Sequence, residues 1–314
     1  MTAAPLLVTG LPRSGTSWTG KMLEGSGQVV YINEPMNTRR PPGRSPGVLN
    51  ARVQHRFQYI DPSDDAAWAA AFHDTLRLRF HPLAELRSVR HPYDVARGLK
   101  YATQFTVGAV RHRRAMLDDP NALFSAGWLT QRMGVSTLVL VRDPVGLIGS
   151  WKALGWQVQL TELLSQPALM RDHLAPWAEQ IQQAVDTGDW IDRMCCLWNV
   201  AHDVIDRLRN EVDHVLIRRY EDLASDPMQQ FAEVYEWFGL DWSDDAQRVV
   251  SEATSTATAS TRGFSWSGFS RTAYQRMDSK SAVTKAEQRL TPDEIERVRS
   301  LTGQVAARFP RSTP

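Results

Sequence analysis

Cysteine is nearly absent from this chain. Its 314 residues contain two, Cys195 and Cys196, adjacent in the run WIDRMCCLWNVAHDVIDRL. Neighbouring cysteines rarely bridge each other, because the small ring strains the peptide, and the pair lacks the spacing of a zinc site. A disulfide framework is thereby excluded, and both residues read as buried helix positions in a reducing compartment. Excess charge of either sign is also lacking: 36 Lys and Arg stand against 35 Asp and Glu. A general nucleic-acid binder needs a basic face to displace phosphate counterions, so that class is excluded too. A local pocket for a polyanionic nucleotide is still compatible, since a few arginines and backbone amides suffice. Long apolar runs are missing as well, and the chain passes at once into PLLVTG with no basic leader. No membrane span is expected, and the reading is cytoplasmic.

What is present is an ordinary apolar share, 42%, enough for a sizeable core. Short β-rich runs alternate with helical patterns, which predicts an α/β fold with a central, mostly parallel sheet flanked by helices. Strands are expected at Pro5 to Thr9, Gln28 to Ile32, Thr137 to Val141 and His214 to Ile217. Helices are expected at Thr16 to Gly25, Asp65 to Arg79, Ala122 to Met133, after Pro144, at Trp190 to Arg209 and at Met228 to Phe238. Thr291-Pro292-Asp293-Glu294 spells a capping box with proline at the first helical position. Two stretches, 37–50 and 254–281, read as mobile loops from their Pro, Gly, Ser and Arg content. No repeat or clean boundary interrupts the chain, so residues 1–314 are expected to form a single domain.

Between the first strand and first helix lies Gly10-Leu11-Pro12-Arg13-Ser14-Gly15-Thr16-Ser17-Trp18. In that setting successive backbone N–H groups and a helix N-terminus can cradle an anion. Ser14, Thr16 and Ser17 add hydroxyls, and Arg13 adds a fixed charge. The loop nearly spells GxxxxGK[ST], but Thr16 stands where a nucleoside triphosphatase carries its lysine. The departure disfavours ATP and GTP chemistry.

PRSGTSW in this setting resembles the 5′-phosphosulfate loop of the sulfotransferase family. A second match is Val139 to Ser150, an apolar strand running into Arg142-Asp143-Pro144 with Ser150 eight residues after the arginine. A third is Tyr220-Glu221-Asp222-Leu223-Ala224-Ser225-Asp226-Pro227, similar to the family's YEDL-x-x-DP segment. The resemblance covers Leu6 to about Leu240. It implies the P-loop-NTPase-like sulfotransferase fold, 3′-phosphoadenosine 5′-phosphosulfate (PAPS) as co-substrate and the corresponding bisphosphate (PAP) as product, with no metal. Arg142 and Ser150 would converge on one phosphate, a task suited to a bidentate guanidinium. Tyr220 would lie near the adenine and Trp18 would stack on its face. Arg262-Gly263 and Ser279-Lys280 fall where the family closes a segment over the 3′-phosphate, and the alternative reading, solvated loop residues, is the simpler one. Arg90-His91-Pro92-Tyr93-Asp94 mimics the second motif, but no clean strand precedes it and Gly98 takes the serine position. It reads as a loop and helix start.

Sulfuryl transfer needs a cation near the leaving oxygens and a base for the acceptor proton. Arg13 is the candidate cation. Glu34, ending the second strand beside the phosphate loop and followed by Pro35, is the candidate base. Its alternatives are a salt bridge to Arg13 or a loop cap, and the competing bases are His91 and His112. Leu117 to Leu129 resembles a family segment that usually reads KDP, with Asp118 here in place of the lysine, so the role of Asp119 stays open. The acceptor, a hydroxyl or amine on a small molecule or carbohydrate, is unspecified. A small-molecule P-loop kinase and a non-enzymatic nucleotide-binding module are the competing functions.

Overall fold

The computed structural model describes residues 3–38, 45–254 and 289–311. Five short, largely apolar runs form strands: β1 (Leu6–Gly10), β2 (Val29–Asn33), β3 (Arg114–Asp118), β4 (Ser136–Val141) and β5 (Val215–Arg219). All pairings are parallel, in the order β2-β3-β1-β4-β5. Strands buried on both faces need no polar alternation, and β1 is buried throughout. Its side chains divide between two cores. Leu7 belongs to the core on one face of the sheet, Leu6 and Val8 to the core on the other.

The helices are α1 (Thr16–Glu24), α2 (Ala66–Leu76), α3 (Pro82–Ser88), α4 (Pro92–Val110), α5 (Ala126–Met133), α6 (Pro144–Ala153), α7 (Thr161–Leu164), α8 (Pro167–Leu169), α9 (Ala178–Asp186), α10 (Trp190–Glu211), α11 (Tyr220–Ser225), α12 (Pro227–Phe238), α13 (Asp244–Thr254) and α14 (Pro292–Ala306). Met22 of α1, Phe231 of α12 and Val250 of α13 pack on one face, while Leu129 of α5, Ile148 of α6, Trp198 of α10 and Val298 of α14 pack on the other. This is a three-layer α/β fold with a fully parallel sheet, as the alternation of patterns predicted. The capping box at Thr291 forms as read, with Thr291 N–H donating to Glu294 Oε2 at 2.8 Å. Cys195 and Cys196 are buried and unbridged.

Two expectations need correction. The helix expected from Ala122 begins as a 3-10 turn over Pro120–Ser125 and becomes α-helical only at Ala126. Asp119 dictates this tight start, because its side chain accepts from Asn121 N–H at 2.9 Å and its carbonyl from Ala122 N–H at 3.2 Å. The residues before it, Arg114–Asp118, are a strand, and that strand sits between β1 and β2. Glu34 therefore does not end a strand adjacent to the phosphate loop. Two strand spacings, about 10 Å, separate the β2 and β1 axes.

All five strands end at one edge of the sheet. That edge carries the phosphate loop, Glu34, Asp118 and Asp119, Arg142 and Tyr220. In open α/β sheets ligands bind outside the carboxyl ends of the strands.

Candidate active site

The phosphate loop leaves β1 through Gly10, whose φ is 145° and where an added Cβ would lie 2.3 Å from the Leu140 carbonyl oxygen. Only glycine permits this exit against β4. Arg13 (φ 77°) and Gly15 (φ 98°) are also left-handed, the backbone signature of an anion-binding nest. Gly15, the N-cap of α1, has no side chain to offer the first N–H groups of that helix. The Ser14 hydroxyl is buried with no partner among the described residues. Buried donors in this number fit an anion, and the phosphates of a nucleotide supply one.

A second set of groups closes on the same loop. From the end of β4, Arg142 donates Nη1–H to the Arg13 carbonyl oxygen at 2.8 Å. Its guanidinium also lies over the Tyr220 ring, 4.5 Å from the centroid. Arg13 Nε contacts Ser150 Oγ at 3.4 Å, and Trp151 donates its indole N–H to the Pro12 carbonyl at 2.8 Å. Trp18 meets the Tyr220 and Phe231 rings edge-on, with centroids 5.7 and 5.2 Å away. The structure thus brings Arg13 through Trp18 together with Arg142, Ser150 and Tyr220, residues drawn from three strand ends.

Electrostatics mark the same place. Burial, then the neighbouring Arg142, pushes the Arg13 pKa below the ordinary arginine value. Burial does the same to Arg142, which the Tyr220 and Glu221 groups partly counter. Arg289 adds to both depressions. Arg289, which precedes the capping box at Thr291, is thus a further cation felt at this site, and no motif marks it. Like charges near one another disfavour each other until an anion offsets them.

The acidic side lies toward β2. Glu34 holds a left-handed backbone (φ 48°), unusual for a non-glycine residue and characteristic of functional sites. Its N–H donates to the Asp118 carbonyl at 2.7 Å, and its carboxylate accepts from the Asn37 amide. Asp119, buried, accepts from Met36 N–H at 2.6 Å as well as from Asn121. It thereby fixes the turn that carries Glu34. The Tyr31 hydroxyl donates to Asp118 Oδ2, and the Ser17 and Thr16 hydroxyls also favour that carboxylate. Two of the loop's three hydroxyl residues thus face the β3 aspartate, and the third, Ser14, is buried without a partner among the described residues.

Of the histidines, His112 precedes β3 and stands at the opposite edge of the sheet, beyond the roughly 13 Å of strand from Arg114 to Asp118. His91 caps the far end of α4, about 28 Å from His112 along that helix. Arg262, Gly263, Ser279 and Lys280 lie outside the described residues.

A parallel sheet with a glycine-bounded phosphate loop and converging arginines defines an anion-binding α/β protein of the P-loop-like class. The chain belongs to the sulfotransferase family, whose sequence profile matches residues 5–244, and it is accordingly a transferase. Among solved structures it is similar to the sulfotransferase domain of the curacin biosynthetic pathway, with 14% identity, 99% of each chain covered and a TM-score of 0.50. The sulfotransferase domain of the Synechococcus PCC 7002 olefin synthase aligns at 15% identity over 100% of this chain and 97% of that one, TM-score 0.46. A mouse sulfotransferase complexed with PAP aligns at 12% identity over 96% and 83%, TM-score 0.43. At such identities the first likeness speaks for the fold alone. No curated protein matches the chain.

Proposed function

We propose that this protein transfers a sulfuryl group from PAPS to a hydroxyl or amine of a small-molecule or carbohydrate acceptor, releasing PAP, by in-line displacement without a metal. The observation that carries the reading is the pairing of half-buried Arg13 with buried Arg142, joined through the Arg13 carbonyl and short of anionic partners on the loop itself. PAPS supplies an activated sulfuryl group on a phosphate leaving group. Arg13, with the N–H groups of the loop and the Ser14 hydroxyl, would hold that phosphate and stabilise the charge developing on it. Arg142 and Ser150 would hold a second phosphate, and Trp18 and Tyr220 would flank the base.

Glu34 is the proposed general base. It takes the acceptor proton as the acceptor–sulfur bond forms and the bridging oxygen–sulfur bond breaks. Asp119, Asn37 and the Asp118 carbonyl hold its backbone and carboxylate in place. Two buried, unbridged cysteines agree with a reducing compartment, so we place the protein in the cytoplasm.

Thermal unfolding with PAP or with ATP–magnesium tests the donor site, because a ligand that binds only the native state raises the midpoint. PAP should raise it and ATP–magnesium should not. The reverse result would replace sulfuryl transfer with kinase chemistry.

A further inference from the structure

Helix α4 carries apolar side chains on its outward face as well as on the face that enters the core. Asp94, Gly98, Tyr101, Phe105 and Gly108 face inward, and at Gly108 an added Cβ would lie 2.3 Å from Val30 Cγ2. Half a turn away at about 100° per residue, the outward face carries Val95, Leu99, Val107 and Val110, with Leu99 64% and Val110 73% exposed. Helix α3 packs beside α4 and adds Leu83 and Leu86, which are exposed too. Seven of the nine exposed large apolar side chains among the described residues fall between Leu83 and Val110. They are therefore concentrated on one surface, where single scattered ones would need no explanation.

The exposed charge of the segment that forms α3 and α4 has one sign. Between Pro82 and Arg113 the sequence holds six Lys and Arg but two acids, Glu85 and Asp94. Both acids are buried, at 3% and 0% exposure. Glu85 accepts from Ser45 Oγ and Gly47 N–H at 2.6 and 3.0 Å, and Asp94 from the Arg90 and His91 N–H groups at 3.0 Å. Both also pair with Arg97, at 3.5 and 3.2 Å. The exposed charges of the segment are then Arg87, Arg90, Lys100 and Arg111, all cationic, with His91 and His112 beside them. The whole chain carries a formal charge of only +1, so the excess is local.

We propose that the outer face of α3 and α4 is a docking surface for an anionic lipid bilayer. Valine and leucine would enter the boundary between headgroups and acyl chains, while Lys100 and the arginines stay at headgroup level. Apolar area and basic charge are each weak anchors, and stable attachment needs the two together. A second copy of the chain fits this face poorly, because it would set like charges against each other.

The test is co-sedimentation of the full chain with vesicles of phosphatidylcholine, with and without phosphatidylglycerol. Binding should require phosphatidylglycerol and weaken with salt. Lys100→Gln with Arg111→Gln should weaken it about 30-fold, and Val95→Asn with Leu99→Asn should reduce it comparably. Arg248→Gln on α13 should leave it unchanged. Stabilisation by PAP, retained in every variant, would show that the fold and donor site are intact. No binding, equal binding to neutral vesicles, or unchanged binding in both double variants would overturn the proposal. So would self-association in light scattering that Val95→Asn with Leu99→Asn abolishes in a protein that ignores vesicles.

Discussion

Arg142 donates a 2.8 Å hydrogen bond to the backbone carbonyl of Arg13, joining residues 129 positions apart. This single bond ties the exit of β4 to the phosphate loop of β1 and anchors buried Arg142 to the backbone of half-buried Arg13. It makes the two motifs one site.

Lysine at position 142 would keep the charge and lose the planar fork that holds the Arg13 carbonyl while presenting further N–H groups. Arg142→Lys should weaken PAP binding by roughly 10- to 100-fold, the worth of one or two charge-assisted hydrogen bonds. Titration calorimetry with PAP measures it. Undiminished affinity would mean that Arg142 is a structural brace and not a ligand.

Arg289 stands apart in sequence but depresses the pKa of both other arginines. Arg289→Gln should therefore act in opposite directions. The unliganded protein should gain a little stability, on the order of 0.5 kcal/mol, and PAP affinity should fall about tenfold. A variant that loses stability without PAP would refute the repulsion on which this expectation rests.

Glu34→Gln keeps the shape of a side chain that already accepts a hydrogen bond from Asn37, and removes its ability to take a proton. Transfer from labelled PAPS to a panel of hydroxylated acceptors should fall by about 10²- to 10⁴-fold. PAP affinity should stay within about twofold. Full activity would move the base elsewhere. His91 would then inherit the role before His112, which stands at the wrong edge of the sheet.

The parts of this site readable in the sequence are those where a continuous apolar strand runs directly into a motif. β1 delivers Arg13, β4 delivers Arg142 and β5 delivers Tyr220, and each junction is recognisable by itself. β3 was not readable, because RAMLD offers three apolar residues between an arginine and an aspartate and has neither a long buried run nor an alternation. This strand is the neighbour of β1 on the side away from β4, and it carries the buried pairing of Asp118 with Tyr31. The described part of the proline-rich stretch was also opaque. Val48 and Leu49 are core residues there, held by Ser45 and by Thr75, whose hydroxyl donates to the Val48 carbonyl at 2.5 Å. Such long-range burial has no local signature.

Gly15 faces Tyr220 so closely that an added Cβ would lie 2.5 Å from the ring, on a backbone already at φ 98°. Gly15→Ala should cost about 2–4 kcal/mol through left-handed strain and overpacking together. Pairing it with Tyr220→Ala should recover the steric part and leave the backbone part. Urea unfolding of the four proteins forms the cycle. Strict additivity would show that the two residues do not touch.

Asp118 makes the last prediction, through pH. Burial pushes its carboxyl up to about 6, and burial likewise lifts Asp119 to about 7. In the unfolded chain an aspartate ionises near pH ~4. Between about pH 4 and 6 the native state therefore binds more protons than the unfolded state, and stability falls as pH rises. This contribution of Asp118 is complete below about pH 4 and gone above about pH 6. Asn at this position stays neutral and can still accept from the Tyr31 hydroxyl. Asp118→Asn should then match the parent protein near pH 4 and exceed it at pH 8 by up to about 3 kcal/mol. Urea midpoints at the two pH values decide the matter. A variant less stable at pH 8 would mean that the ionised carboxylate, held by Tyr31, Ser17 and Thr16, supports the phosphate loop more than its burial costs.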